Sequence, residues 1–383
     1  MVERAPEEGE VTGSTPVSST MVAAISKLLT WAAKNERHLG AIAFVLGFGI
    51  DLLTFTLLSV AYANLAFAGY LLLASLSVAI GSMLPRSHEY VATFKRGVSI
   101  VAPLVAQYAI GSLLSGFMIF YTKSAELSAS WPFLLLLAAV FVGNEFFRTH
   151  YKHLAFQLAL LYFALYAYVI FAIPLFLDRL GPLIFLLSTT TSIVVGGAYV
   201  YVLLRINPLE VRSSMRYALP GVVSVLLLVN LAYFTGALPP IPLTMTESGV
   251  YHSLVRSGDR YVVLAESARP WYTLLSTRTI HISPGSSLFA YAAVSAPIKF
   301  SATEVHRWER YDDTARAWRT ESRVTFSMAG GRPGGFRGYS QFTPTVSGAW
   351  RVSVETPGGQ VIGRIPFTLV IGGAAPELHE ETH

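Results

Sequence analysis

LAFQLALLYFALYAYVIFAIPLFL, residues 154–177, is an uninterrupted run of 24 residues without a charged side chain. A helix rises about 1.5 Å per residue, so a run of this length crosses the roughly 30 Å hydrocarbon core of a bilayer. Six further apolar runs accompany it, at 39–60, 61–84, 98–121, 131–147, 181–204 and 217–238. The sequence therefore predicts an all-α membrane domain of about seven transmembrane helices over residues 39–238.

The composition of the chain points the same way. It is 53% hydrophobic and only 13% charged, whereas a soluble domain carries about 25% charged residues. The net charge of +5 comes from short loops and not from a nucleic-acid-binding motif, so we expect no nucleic acid partner. The chain has no cysteine, which excludes disulfides, thiolate catalysis and cysteine metal sites.

Basic residues alternate between the two sides of the predicted spans. The loops on one side hold only Lys123 and Arg179. The loops on the other side hold eleven: Lys27, Lys34, Arg37, Arg86, Lys95, Arg96, Arg148, Lys152, Arg205, Arg212 and Arg216. Because positive charge is retained on the cytoplasmic side, the pattern predicts a cytoplasmic N-terminus and an external C-terminal domain. An even number of spans would destroy this alternation.

The N-terminal segment precedes the first span and differs from it in composition. Residues 1–20 are polar and rich in Ser and Thr, so we expect a disordered extension, with Met21 as the true start of the protein. Residues 21–38 are amphipathic and are predicted to form a cytoplasmic segment. They lack a signal-peptide cleavage site, which makes the first span the signal anchor.

The C-terminal part shows strand patterns in place of long apolar runs. Apolar and polar residues alternate in 323–328, 349–355 and 364–369, which predicts half-buried antiparallel strands. We therefore expect a linker at 239–250, an all-β immunoglobulin-like sandwich of seven or eight strands at 251–372, and a flexible tail at 373–383. Further strands are predicted at 260–265, 278–282, 287–293, 299–308 and 336–343.

Two groups of motifs resemble a known family. In the membrane part these are GFGIDLLTF (47–55), QYAIGSLLSGFMIFYTKSAELSASWPFLLLL (107–137) and NEFFRTHYKHLAFQ (144–157). In the C-terminal part they are VHRW (305–308), GFRGYS (335–340), GAWRVSVET (348–356) and GQVIGRIPF (359–367). They resemble an uncharacterised family of proteobacterial multi-pass membrane proteins that end in a domain of unknown function. The resemblance implies a bacterial inner-membrane protein with a periplasmic C-terminal domain, and it implies no activity.

Polar residues within the predicted spans are the first candidate site. Asp51 lies in the first span and shares a helical face with Thr54, and Gln107 and Ser115 follow a similar stripe in the third. A buried carboxylate in a membrane is costly, so the residues of these two stripes either form a polar site for a proton, an ion or a head group, or lock helices together by hydrogen bonds. Asn144 and Glu145 end the fourth span, where we expect Glu145 to form an ion pair with Arg148 or, alternatively, to belong to one polar cluster with Asp51. Hydroxyls at 188–192 are expected to bond to carbonyls of their own helix.

Arginines on polar strand faces are the second candidate site. Arg323, Arg337, Arg351 and Arg364 could form a periplasmic surface for an anionic lipid, sugar or peptide, or simply a solvated sheet face. The sequence lacks a nucleophile elbow, a P-loop and an HExxH motif, so we predict no catalytic residues, no metal and no cofactor.

These observations favour a non-enzymatic protein. We expect a membrane bundle that presents a periplasmic sandwich to a protein or an envelope component, in a sensing or scaffolding role. The partners would be the lipid bilayer and a periplasmic protein, lipid or glycan. The alternative is a transporter or lipid-handling protein that uses the polar residues of the bundle, and an intramembrane enzyme is the third hypothesis.

Overall fold

The structure is a computed structural model that describes residues 36–83, 93–146, 150–151, 153–240, 243–258, 260–266, 277–296, 302–328, 335–372 and 376–383. The predicted extension 1–20 and most of the predicted segment 21–38 lie outside these residues. The chain divides into two compact units, Met1–Leu53 and Thr54–His383.

The N-terminal part of the described chain is helical. Its helices are α1 (Glu36–Leu57), α2 (Val60–Met83), α3 (Thr93–Ser124), α4 (Leu127–Phe146), α5 (Leu154–Leu177), α6 (Pro182–Ile206) and α7 (Pro208–Phe234). Within the described residues, six helices are long and apolar enough to cross a membrane, namely α2 to α7. The apolar described part of α1, Val45–Leu57, is shorter, so the predicted first span stays a prediction.

Proline and asparagine set the start of the last two helices. Pro182 and Pro208 each occupy the first turn, where the missing N–H has no helical partner to lose. The side chain of Asn207 caps α7 by accepting a hydrogen bond from the backbone N–H of Glu210. Because of this cap, α7 begins nine residues before the predicted span 217–238. Pro220 therefore lies inside α7 and not near its start.

Aromatic side chains fill the centre of the bundle in the second unit. Phe67 of α2 is fully buried, and its ring contacts those of Phe117 and Phe171 with centroids 4.9 and 5.4 Å apart. Gly116 makes this approach possible, because a Cβ atom at that position would lie 2.2 Å from the Phe67 ring. Small residues thus bring α2 and α3 together, as is common between membrane helices.

The C-terminal part is all β, as predicted. Its strands are β1 (Thr244–Tyr251), β2 (Ser253–Ser257), β3 (Arg260–Glu266), β4 (Arg278–Ile282), β5 (Leu288–Ser295), β6 (Ala302–Asp312), β7 (Ala317–Met328), β8 (Phe336–Phe342), β9 (Gly348–Glu355), β10 (Val361–Ile371) and β11 (Leu378–Thr382). They form a central sheet β1-β5-β8, a five-stranded sheet β4-β10-β9-β6-β7 and a third sheet β11-β3-β2. Strand β4 pairs with β10 in parallel, and the other pairs are antiparallel.

The two faces of β5 show that the sheets form three layers. Leu288 and Ala290 pack with Trp308 against the five-stranded sheet, and Tyr291 and Ala293 pack toward the third sheet. A strand buried on both faces needs no apolar–polar alternation, which explains why LFAYAAVS lacks one. The expected two-layer sandwich of seven or eight strands therefore has a third layer and three additional strands among the described residues.

Two predicted boundaries are wrong. Strand β1 begins at Thr244, inside the expected linker 239–250, because its second half is buried against β5. Residues 378–382, expected to be a flexible tail, form β11, whose backbone pairs with all but the first two residues of β3. A short polar strand carries little sequence signal, because its stability comes from hydrogen bonds to an existing sheet edge.

Candidate functional site

Two of the predicted polar residues, Gln107 and Asn144, meet where the middle of α3 packs against the C-terminal end of α4. Gln107 Nε2 donates to the carbonyl of Asn144 over 3.3 Å, and Asn144 Nδ2 donates to the carbonyl of Gln107 over 3.4 Å. The Tyr151 hydroxyl donates to Asn144 Oδ1, and Gln157 Nε2 donates to the carbonyl of Tyr151. All four side chains are buried. This arrangement is the interhelical lock, because each amide is used by a neighbouring helix or loop.

The other predicted bundle residues do not join this lock. Ser115 is buried two turns further along α3, and its hydroxyl has no partner among the described residues. Glu145 is half-buried near the end of α4, and Thr54 is exposed. Asp51 is half-buried on α1 in the N-terminal unit. The hydroxyls of Ser188, Thr189, Thr190 and Ser192 bond to carbonyls of α6, as predicted.

Three of the four predicted arginines share the outer face of the five-stranded sheet. The strand register places Arg323 opposite Arg307, Arg307 opposite Ser353, and Ser353 opposite Arg364. Arg351 lies two residues from Ser353 on the same face. Arg337 belongs to β8 in the central sheet, where it donates to the backbone oxygen of His383.

Carboxylates occupy this face together with the arginines. Glu309, 2% exposed, accepts two hydrogen bonds from Arg351, of 2.7 and 3.2 Å, and one of 2.7 Å from Ser353. Burial pushes the pKa of Glu309 upward, but the bonds from Arg351 and Ser353 outweigh it and hold the pKa below its usual value. Glu355 is equally buried and accepts from Arg307, yet burial dominates and raises its pKa.

Arg323 and Trp318 are exposed residues of this face. The side chain of Arg323 is exposed, and no hydrogen bond or ion pair joins this side chain to the described residues. Trp318 is 36% exposed, stacks edge-on against Tyr311 at 5.3 Å, and holds the Arg351 guanidinium 4.2 Å above its ring. Of the predicted arginine surface, the structure thus leaves Arg323 free and uses Arg351 and Arg364 internally.

Arg364 joins the sandwich to the helices. Its Nη1 donates to the Ser128 hydroxyl over 2.5 Å and lies 3.6 Å from the Glu126 carboxylate, both at the α3–α4 connection. Ser124 and Thr244 place their hydroxyl oxygens 3.5 Å apart. These contacts fix the edge of the sandwich to the C-terminal end of α3 and the N-terminal end of α4.

A second contact region involves the turn between β9 and β10. Gln360 Nε2 donates to the carbonyl of Leu238 over 3.2 Å. Gly236 follows α7 with φ +74°, and a Cβ atom there would lie 3.0 Å from the Gly359 carbonyl oxygen. Glycine is therefore required both for the backbone conformation and for the close approach of the turn.

Two cavities adjoin this region. The larger, about 400 Å³, is lined by residues 179–182 of the α5–α6 connection, by Thr303 and by residues 356–358. The smaller, about 20 Å³, shares Leu180 and Gly181 with it and reaches Tyr121 and Tyr233. In the sequence, Arg179 was distinguished only as one of two basic residues in the loops predicted to lie outside, and this was the available signal for the site.

A buried serine–histidine–glutamate chain lies inside the sandwich. His306 contacts Ser340 Oγ with Nδ1 at 3.0 Å and Glu304 Oε1 with Nε2 at 2.8 Å. Trp308 Nε1 donates to the same Ser340 hydroxyl over 3.0 Å. The Ser340 oxygen is already hydrogen-bonded and the residue is only 3% exposed. The serine–histidine–glutamate cluster therefore satisfies the hydrogen-bonding groups of buried side chains and does not present a nucleophile.

Among the described residues, no group of three or more His, Asp or Glu side chains is arranged to hold a metal ion. No curated protein sequence matches the chain. Residues 302–369, which run from β6 almost to the end of β10, match a family described as "Protein of unknown function (DUF2914)".

Solved structures offer only weak likeness. An immunoglobulin-like protein from Pseudomonas aeruginosa is 9% identical with a TM-score of 0.21, covering 34% of this chain and 98% of the other. A β-glucosidase from Listeria innocua is 13% identical with a TM-score of 0.18, covering 30% and 16%. The alkylpurine DNA glycosylase AlkC from Pseudomonas fluorescens is 10% identical with a TM-score of 0.22, covering 80% and 98%. The described part of the chain thus combines six long apolar helices with a sheet-rich C-terminal region, in which residues 302–369 match a domain of unknown function.

Proposed function

We propose that the chain is an integral protein of a bacterial inner membrane that holds a periplasmic, immunoglobulin-like β domain against its transmembrane helices and uses it to bind a protein or an envelope component. The role is sensing or scaffolding, without catalysis. The alternation of eleven basic residues against two supports the orientation, with the N-terminus cytoplasmic and the sandwich outside.

The observation that carries this proposal is the polar contact between sandwich and helix ends. The contact of Arg364 with Ser128 involves the start of α4, and the contacts of Gln360 with the Leu238 carbonyl and of Gly359 with Gly236 involve the segment that follows α7. A domain on a flexible tether would need none of these bonds. A sandwich held at several points can transmit a change in its bound state to α3, α4 and α7, as a sensor requires.

The partner surface in this proposal is the β6–β7 side of the five-stranded sheet. Trp318 and Tyr311 contact each other there and Arg323 lies further along β7, and tryptophan, tyrosine and arginine are the residues most enriched at the centres of protein interfaces. Trp318 is already fixed by Tyr311 and Arg351, so binding would require little ordering of its side chain.

A designed disulfide tests both the contact and the compartment. The chain has no cysteine, and the Ser124 and Thr244 hydroxyl oxygens are 3.5 Å apart. Ser124→Cys combined with Thr244→Cys should oxidise spontaneously in intact cells, because the periplasm is oxidising. Ser124→Cys with Ser257→Cys is the matched control. A pair that stays reduced in cells and resists mild oxidation after purification is incompatible with the proposed arrangement.

A photo-crosslinking residue tests the partner surface. Introduced at position 318 or 323, it should yield a discrete cross-linked product in cells. Position 255, exposed on β2 in the third sheet, serves as the control for non-specific capture. Identical products from all three positions, or none from 318 and 323, would argue against this surface.

Lipid handling remains the second candidate, because one observation favours it. A cavity of about 460 Å³ lies between α2, α5, α6 and α7, and its lining is largely apolar. The Tyr199 hydroxyl in it is already bonded to the carbonyl of Ser75 over 2.7 Å. An apolar cavity within membrane helices suits a lipid chain.

Gly197 allows this alternative to be tested, because it lines the cavity and open space surrounds its Cβ position. Gly197→Phe should reduce co-purified lipid if the cavity holds a chain, whereas Gly69→Phe, also in open space but outside the cavity, should not. A phenotype lost with Asp51→Asn and kept on deletion of 240–383 would favour transport over the sandwich. The reverse pattern would favour the binding module.

A further inference from the structure

The junction between sandwich and helices contains a cavity with the features of an anion site. Its volume of about 400 Å³ falls within the range of small-molecule sites. Residues 179–182 form one wall, and the buried Thr356, followed by Pro357 and Gly358, forms the other. No aspartate or glutamate is among the described residues that line it.

The first attraction for an anion is the start of α6. This helix has 25 residues and begins at Pro182, and its N-cap, Gly181, provides no side-chain hydrogen bond. The free N–H groups of the first turn and the helix dipole therefore direct positive potential at the cavity. Arg179 adds a full charge two residues before the N-cap, and no hydrogen bond or ion pair joins its side chain to the described residues.

The second attraction is a pair of buried hydroxyls without partners. Tyr121 is 1% exposed and Tyr233 is 5% exposed, and neither hydroxyl has a hydrogen-bond partner among the described residues. Both line the small adjoining cavity of about 20 Å³, which is room for about one water molecule. Tyr233 also approaches the larger cavity, since a Cβ atom on Gly358 would lie 3.7 Å from its hydroxyl oxygen.

We propose that this junction cavity binds a phosphate group, held by Arg179 and the first turn of α6 and reached by the Tyr233 hydroxyl directly or through a water. The inference rests on the proposed docking of the sandwich on the helices, because each component supplies one wall. Phosphate fits better than a neutral sugar, because the site offers a cation, a helix N-terminus and hydroxyl donors without a carboxylate. The phosphate could come from a lipid head group or from a free solute.

The test uses the full chain purified in detergent and measures its melting temperature with increasing inorganic phosphate, phosphatidylglycerol or phosphatidylcholine. We expect a saturable increase with at least one phosphate-bearing anion. An increase with phosphatidylglycerol but not with inorganic phosphate identifies a lipid source, and an increase with both identifies the phosphate alone as sufficient. No increase with either would overturn the proposal.

Variants locate the site. Arg179→Ala should weaken the apparent affinity about ten- to a hundredfold, as expected for the loss of a hydrogen bond to a charged group. Arg256→Ala removes the same charge from an exposed position on β2 in the third sheet and should bind like the parent chain. Equal weakening by both variants, or none with Arg179→Ala, would refute the site.

Tyr233→Phe gives a readout that a purely structural role cannot imitate. Without anion it should melt at the same or a higher temperature than the parent, because an unpaired buried hydroxyl is removed. With anion it should bind about three- to tenfold more weakly. If Tyr233→Phe binds as tightly as the parent, the proposed role of this hydroxyl is wrong.

The Ser124→Cys, Thr244→Cys disulfide separates the two proposals. If it forms and anion binding is absent, the phosphate site fails while the docked sandwich stands. If it forms neither in cells nor on mild oxidation after purification, the sandwich is not docked on the helices and both proposals fail.

Discussion

Replacing Glu309 with glutamine should destabilise the sandwich more than any other single charge-neutralising change on its outer face. The side chain is 3% exposed and accepts three hydrogen bonds shorter than 3.3 Å from Arg351 and Ser353. Glutamine keeps the shape, but it removes the charge and turns one acceptor into an NH₂ group. That group would face the donors of Arg351 or Ser353.

The size of the effect follows from the partners that remain. Breaking a buried ion pair by removing one member costs about 3–5 kcal/mol, because the other charge stays buried. The side chains of Arg351 and Arg307 are 16% and 22% exposed, so solvent reduces this cost toward its lower limit, about 3 kcal/mol. For a β domain of roughly 140 residues, that corresponds to a decrease in melting temperature of about 9 °C.

The assay is thermal unfolding of the full chain in detergent, followed by loss of hydrogen-exchange protection in β6 and β9. Glu321→Gln is the matched control, because Glu321 pairs with Arg310 at 3.3 Å in an exposed position, where the cost should stay below about 1 kcal/mol. A Glu309→Gln effect no larger than that of Glu321→Gln would refute the reasoning.

The pH dependence of the same variant provides an independent check. Since the folded pKa of Glu309 is lowered, its stabilisation is fully present above the usual carboxyl pKa and is lost as the pH falls through the folded pKa. The difference between parent and variant should therefore shrink below about pH 4. A difference that grows on acidification would show that Glu309 is not held as a carboxylate.

Three further predictions concern other parts of the molecule. Asn144→Leu should cost about 2 kcal/mol in detergent, because its amide bridges α3 and α4, whereas Asn64→Leu, at a side-chain oxygen without a partner among the described residues, should cost less. Burial raises the pKa of Glu266, but the hydrogen bonds from His281 and His252 outweigh burial and lower this pKa below its usual value. The stabilisation by the Glu266 carboxylate is present above the usual carboxyl pKa and is lost as the pH falls through the lower folded pKa. The melting temperature of Glu266→Gln should therefore fall less than that of the parent chain between about pH 6 and pH 3. Gly335→Ala should destabilise the central sheet by more than about 2 kcal/mol, since φ is +87° and a Cβ atom would lie 2.7 Å from the Val294 carbonyl oxygen, and a change under about 0.5 kcal/mol would contradict this.

Most secondary structure of this chain could be predicted, because hydrophobic patterns act locally. The alternation in 349–355 and 364–369 corresponds to β9 and β10, and the apolar run 154–177 coincides with α5. Strands β1, β2 and β11 were not predicted. The partners of β1 and β11 lie far away in sequence, and β2, whose partner β3 follows it directly, is a short polar segment, so none of the three has a strong local pattern.

The candidate sites show that local sequence patterns do not predict which side chains contact each other. Gln107 and Asn144 were both singled out, but only packing of α3 on α4 decides that they bond to each other. Arg364 was a candidate for a ligand surface or for a solvated sheet face, and the structure directs it to Ser128 and Glu126 because the sandwich edge lies against the α3–α4 connection. The Tyr121 and Tyr233 hydroxyls meet at one small cavity although 112 residues separate them in the chain.

The sequence by itself determined that long uncharged segments form helices and that alternating segments form strands, because burial of apolar surface favours these periodicities whatever the neighbours are. It also predicts that the basic loops alternate between the two sides of the apolar helices. Only the tertiary structure decided which polar groups are paired, which remain free and where a cavity opens, because hydrogen bonds and close packing depend on distances of a few tenths of an ångström between segments that are remote in the chain.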